Sequence, residues 1–143
     1  MAFNKGDGGI QFQRDKAIEF GFADVVAATS GVYIPMVDIP PTAIVKGGGI
    51  MVTQVFNSTS SDTFVIKDSA NNSYKTGING QALGYTALTP TGIPANLLTE
   101  MTIGITWIPG SGTPTTGQAY LIIEYIMPNC ADEYFTLSDP IAP

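Results

Sequence analysis

Apolar residues along this chain recur at every second position in short segments, and no stretch sustains the 3.6-residue period of an amphipathic helix. The clearest segment is residues 101–108 (MTIGITWI). Met101, Ile103, Ile105 and Trp107 fall on one side and Thr102, Gly104 and Thr106 on the other. That alternation predicts a half-buried strand, because successive side chains point to opposite faces of the pleat. Residues 49–56 (GIMVTQVF) place Ile50, Val52 and Phe56 together, and residues 62–67 (DTFVIK) do the same for Phe64 and Ile66. In residues 119–127 (AYLIIEYIM), Leu121, Ile123, Tyr125 and Met127 share a face. Weaker strand patterns lie at 17–23, 32–39, 42–46, 73–78 and 84–89.

Turn-forming residues separate these segments. Pro40-Pro41 removes two backbone donors just before Thr42. The run Gly47-Gly48-Gly49 predicts a tight reversal, and with no helix behind it, it is a turn and not a phosphate cradle. Asn57 to Ser61, Asp68 to Ser73 and Asn79-Gly80 read as turns, the last being the strongest short turn signal. Pro109 to Pro114 is too long for a tight hairpin. Many short strands with Gly/Pro turns and no helices predict an all-β fold, a two-sheet antiparallel β-sandwich of jelly-roll type. Two packed sheets also cover the apolar face that a single open sheet would leave bare.

Length and composition sharpen this picture. A chain of 143 residues is one domain. Only 13% of its residues are charged, against about 25% in a typical soluble domain. Two readings fit that deficit: a subunit that hides part of its outside, or a β-protein surfaced with Thr, Ser, Asn and Gly. The segment 119–127 gives the first reading a location. With Leu121, Ile123 and Tyr125 inward, Tyr120, Ile122 and Ile126 point outward around Glu124, as a subunit contact would require. The alternative is a sandwich that covers both faces itself.

Chemistry is sparse. With no His, every Ser-His, Cys-His or His-ligated metal mechanism is excluded. The net charge of −6 argues against nucleic acid as a partner. No segment approaches a membrane span, and the first twenty residues lack the apolar core of a signal peptide, so synthesis and assembly are expected in the cytoplasm. Glu124 is the first candidate for acid/base work, with Glu100 and Asp62 as its nearest possible partners, although nothing shows that they converge. Asp68, Asn71 and Asn72 could offer oxygens to Ca²⁺ but lack the regular spacing of a calcium loop, and Asx residues are common in turns. Cys130 lies among acids with no base nearby, which disfavours a nucleophile. These residues imply no enzyme, no catalytic or metal site and no cofactor.

Three segments carry a family resemblance: residues 39–53 (IPPTAIVKGGGIMVT), residues 60–67 (SSDTFVIK) and residues 101–126 (MTIGITWIPGSGTPTTGQAYLIIEYI). Their order resembles small virion structural proteins of tailed bacteriophages, of the head-decoration, cement or head-fibre kind. The resemblance covers roughly residues 24–127 and rests on turn and strand motifs. It implies a homotrimer on the capsid exterior whose partner is the major capsid protein. The expected organisation is an N-terminal arm (1–15), a sandwich domain (16–127) and an acidic C-terminal tail (128–143). Shell contact is expected through Phe3, Ile10 and Phe12 of the arm and Tyr134 and Phe135 of the tail, if these segments order on a partner and do not simply fray. Subunit contact is expected through Tyr120, Ile122, Glu124 and Ile126. The alternative function is a tail or fibre module that binds host carbohydrate, with Tyr33, Tyr74, Tyr85 or Trp107 as stacking platforms. Trp107 sits on the apolar side of its strand and reads as core.

Overall fold

The structure, a computed structural model, describes residues 13–89 and 100–127. The elements in chain order are β1 (Gln13–Gly21), α1 (Phe22–Ala28), β2 (Tyr33–Ile39), β3 (Ile44–Gln54), β4 (Asp62–Asp68), β5 (Ser73–Asn79), β6 (Gly84–Ala87), β7 (Met101–Pro109) and β8 (Gln118–Ile126). They form two four-stranded sheets, β1-β8-β3-β6 and β2-β7-β4-β5, with antiparallel pairing throughout. The expected two-sheet β-sandwich is therefore the fold. Strands consecutive in sequence lie in opposite sheets, except β4 and β5, which pair with each other.

The inward faces match the alternation. Ile103, Ile105 and Trp107 of β7, Phe64 and Ile66 of β4, Ile50 and Val52 of β3, and Leu121, Ile123 and Tyr125 of β8 are all buried. Phe20 from the first sheet, Phe64 from the second and Phe56 from the β3–β4 connection form an aromatic trio. Its edge-on contacts have ring centroids 5.0 Å (Phe56–Phe64) and 5.4 Å (Phe20–Phe64) apart, an arrangement that favours the ring quadrupoles.

Three local readings change. Gly47–Gly49 is not a reversal: it lies inside β3, which joins the two segments read as separate strands at 42–46 and 49–56. A Cβ on Gly48 would sit 2.0 Å from the Ile122 carbonyl oxygen, and one on Gly49 would sit 2.1 Å from that of Thr86. Glycine here permits close approach of neighbouring backbones, beside a bulge between Val45 and Gly47. The second change is α1. The strand pattern over 17–23 ends at Gly21, whose N–H donates to Asp24 Oδ2 (2.8 Å) as the helix begins. Seven residues are too few to display a helical period. Third, Asn79-Gly80 turns the chain but closes no hairpin, because β5 and β6 lie in different sheets. Asn79 Oδ1 accepts from the Gln81 N–H, and the Gly80 N–H donates to the Asp62 carbonyl.

The two ends of the sandwich differ. Gln13 and Ile44 both pair with Ile126, so the chain enters β1 and leaves β8 at one end. The turns at 40–43 and 69–72 lie at this terminus-bearing end, since Ile39 pairs with Met101 and the Ser69 N–H donates to the Thr102 carbonyl. β1 includes Gln13, Arg14 and Asp15, the last residues of the segment read as an arm.

The opposite end is braced by hydrogen bonds between connections. Asn57 Oδ1 accepts from the N–H groups of Thr115 and Thr116, and Asn57 Nδ2 donates to Thr115 Oγ1. The Thr59 N–H donates to the Ser111 carbonyl, and the Gly110 N–H to that of Ser61.

Candidate interaction surfaces

The outward face of the first sheet is built by register. β8 runs between β1 and β3, and directly opposed residues share a face. Tyr120 lies between Glu19 and Met51, Ile122 between Ala17 and Gly49, and Glu124 between Asp15 and Gly47. Ile126 lies between Gln13 and Ile44. β6 extends the face, with Tyr85 opposite Met51 and Ala87 opposite Gly49. Tyr120, Ile122, Glu124 and Ile126 are half-buried, while Ile44, Met51 and Tyr85 are exposed. The structure thus brings the four residues read as a subunit contact onto one face and adds Met51, Tyr85 and Ile44.

Missing side chains shape this surface. Gly47 and Gly49 add no side chain to this face, and Gly49 is buried, a Cβ there meeting the Thr86 carbonyl oxygen at 2.1 Å. Glu124 leans over the first of them, since a Cβ on Gly47 would meet Glu124 Oε1 at 2.9 Å. The Tyr85 phenol is pushed above its usual pKa by burial first and by the Glu124 carboxylate second. Apolar side chains together with the carboxylates of Asp15, Glu19 and Glu124 make a surface suited to packing, with acid/base work unsupported.

The other candidates resolve into structural roles. Asp62 is fully buried and accepts from the Ser58 N–H (3.0 Å), Ser58 Oγ (2.7 Å), Gln81 Nε2 (3.3 Å) and Trp107 Nε1 (2.7 Å). Glu124 projects from the outward face of the other sheet and Glu100 is exposed ahead of β7, so the three carboxylates do not converge.

Asp68 accepts from the N–H groups of Ala70 and Asn72, from Asn72 Nδ2 and from the Tyr74 hydroxyl, at 2.9–3.0 Å. Asn71 Oδ1 takes a bond from Lys67 Nζ. The Asx cluster therefore closes a turn. No group of three His, Cys, Asp or Glu among the described residues is placed to hold a metal ion.

Of the four aromatic residues considered as sugar platforms, Trp107 and Tyr74 are buried and Tyr33 is half-buried, its hydroxyl 2.8 Å from Thr102 Oγ1. Tyr85, at 47% exposure, is open to solvent. A cleft of about 230 Å³ between β1 and β2 is lined by Ile18, Phe20, Ile34, Met36 and Ile105. Its two carboxylates are engaged, Glu19 by Gln118 Nε2 and Asp24 by the Gly21 N–H. Phe3, Ile10, Phe12, Cys130, Tyr134 and Phe135 lie outside the described residues. Among the described residues, no helix is long and apolar enough to cross a membrane.

No protein-family model and no curated protein matches the sequence. Solved structures do match the fold. A chain of the cyanophage Pam1 capsid asymmetric unit aligns with 90% of this chain and 92% of its own length, with TM-score 0.59 and 15% identity. A chain from the capsid of Ralstonia phage GP4 aligns with 80% of this chain and 84% of its own, with TM-score 0.53 and 16% identity.

Proposed function

We propose that this chain is a non-enzymatic structural protein of a phage virion. It decorates the outside of the head by binding the major capsid protein lattice as a homotrimer, and so stabilises the shell. The observation that carries this reading is the breadth of the fold match. Nine-tenths of this chain aligns with nine-tenths of a chain from a capsid. The neighbouring chain is thus of nearly this length. The alternation of consecutive strands between sheets supports a jelly roll.

In this reading the outward face of β8, with Tyr120, Ile122, Glu124 and Ile126, is the trimer contact. The arm (1–15), through Phe3, Ile10 and Phe12, and the tail (128–143), through Tyr134 and Phe135, hold the sandwich (16–127) to the shell. Many weak contacts on a repeating lattice add up when subunits bind as one body. The saturated Asp62 supports a role without catalysis, and no cofactor is required.

Assembly takes place in the host cytoplasm and the product resides in the virion. The carbohydrate-binding alternative loses support, because two of the four platforms proposed for it, Trp107 and Tyr74, are buried. Cryo-electron microscopy of virions with and without the protein tests the proposal. Extra density at repeating sites on the head exterior is expected, and density confined to the tail would overturn it.

A further inference from the structure

The two flanks of the sandwich are finished differently. On one, the chain leaving β6 crosses between the sheets: the Leu88 N–H donates to the Gly48 carbonyl and the Thr89 N–H to that of Tyr74 in β5. On the other, where β1 lies beside β2, the cleft described above stays open. Resting on the decoration reading, we infer that the edge of β1 takes up an extended segment of the major capsid protein as an added strand. That segment sets an apolar side chain in the cleft and a Lys or Arg beside Glu19 and Asp24.

The first support is the backbone. β1 is an edge strand, and its nine residues pair one-to-one with β8 without a register shift. From Lys16 to Phe20 its main chain bonds to β8 alone among the described residues. In an antiparallel pair, alternate residues turn their N–H and C=O groups away from the neighbour. This stretch therefore presents a regular row of donors and acceptors, and what completes such a row is another extended main chain. The other edges are blunted. β2 has Pro35 with a bulge beside it, β5 has two register shifts and the positive φ of Gly77, and β6 is four residues long.

The second support is the cleft. Lys16 Nζ reaches the Asp38 carbonyl (3.3 Å) across one end of the gap between β1 and β2, and α1 packs on both strands at the other. Between them Ile18, 37% exposed, Ile34 and Met36 flank the buried Phe20 and Ile105. A strand added beside β1 sends every second side chain to the face that Ile18 and Phe20 share, which is where the cleft lies. At about 230 Å³ the cleft is smaller than the roughly 300–1,000 Å³ of small-molecule pockets, and it has room for a side chain.

The third support is charge. Glu19 and Asp24 line the cleft, and both accept from neutral donors, the Gln118 side-chain amide and the Gly21 N–H. Neutral donors leave the two negative charges uncompensated, and a basic side chain on the incoming segment complements them.

Hydrogen exchange read by mass spectrometry tests this on the full-length protein, free and bound to isolated heads of the phage carrying the gene. Peptides over residues 16–20 are expected to exchange about tenfold or more slowly on the heads, because an added strand bonds amides that water otherwise reaches. Ile18→Lys, at an exposed position, is expected to weaken co-sedimentation about tenfold or more by setting a charge in the cleft. Glu19→Gln keeps an acceptor for Gln118 and is expected to weaken it about threefold, with a shallower salt dependence. Bound protein whose residues 16–20 exchange as in free protein overturns the inference and leaves decoration standing. So does an edge already protected in free protein, either at every concentration, where the chain covers it itself, or only at high ones, where a second copy does. Failure of folded protein to co-sediment at all overturns decoration, and strand addition with it. Should Ile18→Lys misfold by circular dichroism, Ile18→Thr replaces it, and the exchange of the unsubstituted protein decides as before.

Discussion

Trp107 Nε1 donates to Asp62 Oδ1 at 2.7 Å, and the two residues sit at 5% and 0% exposure. The bond joins β7 to β4 at the braced end, and the same carboxylate gathers Ser58 and Gln81 from two other connections. Removing the carboxylate leaves several donors without an acceptor. Asp62→Ala is expected to cost about 3 kcal/mol or more, since stranded buried polar groups forfeit their desolvation. Trp107→Phe, which removes one donor and some packing, is expected to cost less, about 1–3 kcal/mol. Urea midpoints at constant slope measure both, and a loss under about 1 kcal/mol for Asp62→Ala would contradict the role given to this hub.

The glycines inside β3 make a second prediction. A methyl at Gly48 would meet the Ile122 carbonyl at 2.0 Å, where φ is also +129°. Gly48→Ala is therefore expected to disrupt the β3–β8 ladder and cost about 3 kcal/mol or more. At Gly77, φ is +65° with nothing within 4 Å of a new Cβ. Gly77→Ala should cost only about 1–2 kcal/mol, from conformation alone. Comparable losses at both sites, from thermal unfolding, would mean that backbone contact is not what glycine relieves at Gly48.

Alkaline pH is the third probe. Burial first and the Asp68 carboxylate second raise the Tyr74 phenol well above its ordinary value. The unfolded chain thus releases this proton at lower pH than the folded one. Stability is full below about pH 10 and falls as pH rises beyond it, by up to about 1.4 kcal/mol per pH unit for one proton. Tyr74→Phe should flatten that decline while lowering stability at neutral pH through loss of the Asp68 bond. Denaturation at pH 7 to 11.5 reads both effects, and an unaltered alkaline slope would discount Tyr74 as a source.

Association through the outward face of the first sheet is the fourth. Ile122 lies between Ala17 and Gly49, and a lysine there places a charge in the middle of an apolar contact. Ile122→Lys is expected to yield folded monomers by light scattering coupled to gel filtration. Val65→Lys, on the outward side of β4, should leave the oligomer intact. Dissociation by both or by neither would move the contact elsewhere.

The inward faces of β4 and β8 were legible in the sequence because only one side of each is fully buried, and burial imposes a two-residue period. β7 keeps that period in sequence although Gly104 and Thr106 on its other side are buried as well. The outward patch was legible only along β8. Its other half comes from Met51 and Tyr85, which reach Tyr120 through pairing among β8, β3 and β6. Pairing between distant segments leaves no local trace, although Met51 carries the alternation expected of an outward residue. Gly47–Gly49 misled because glycine marks both turns and close approach, and only the neighbouring strands distinguish them. Asp62 was invisible as a hub because its donors come from positions 58, 81 and 107. A charged residue at a strand start ordinarily reads as exposed.

The position of β8 also bears on how the chain comes to be folded. The last described strand to leave the ribosome is not added at a rim but slots between β1 and β3, which were made first and do not touch each other. Until residue 126 has emerged, the first sheet has a gap one strand wide through its middle, and β1 has no partner in it. The β3–β6 pair can form earlier, but full pairing of that sheet must wait until β8 has been made. A chain arrested before β8 would display the unsatisfied borders of two strands, a form open to capture by a chaperone or by another nascent copy.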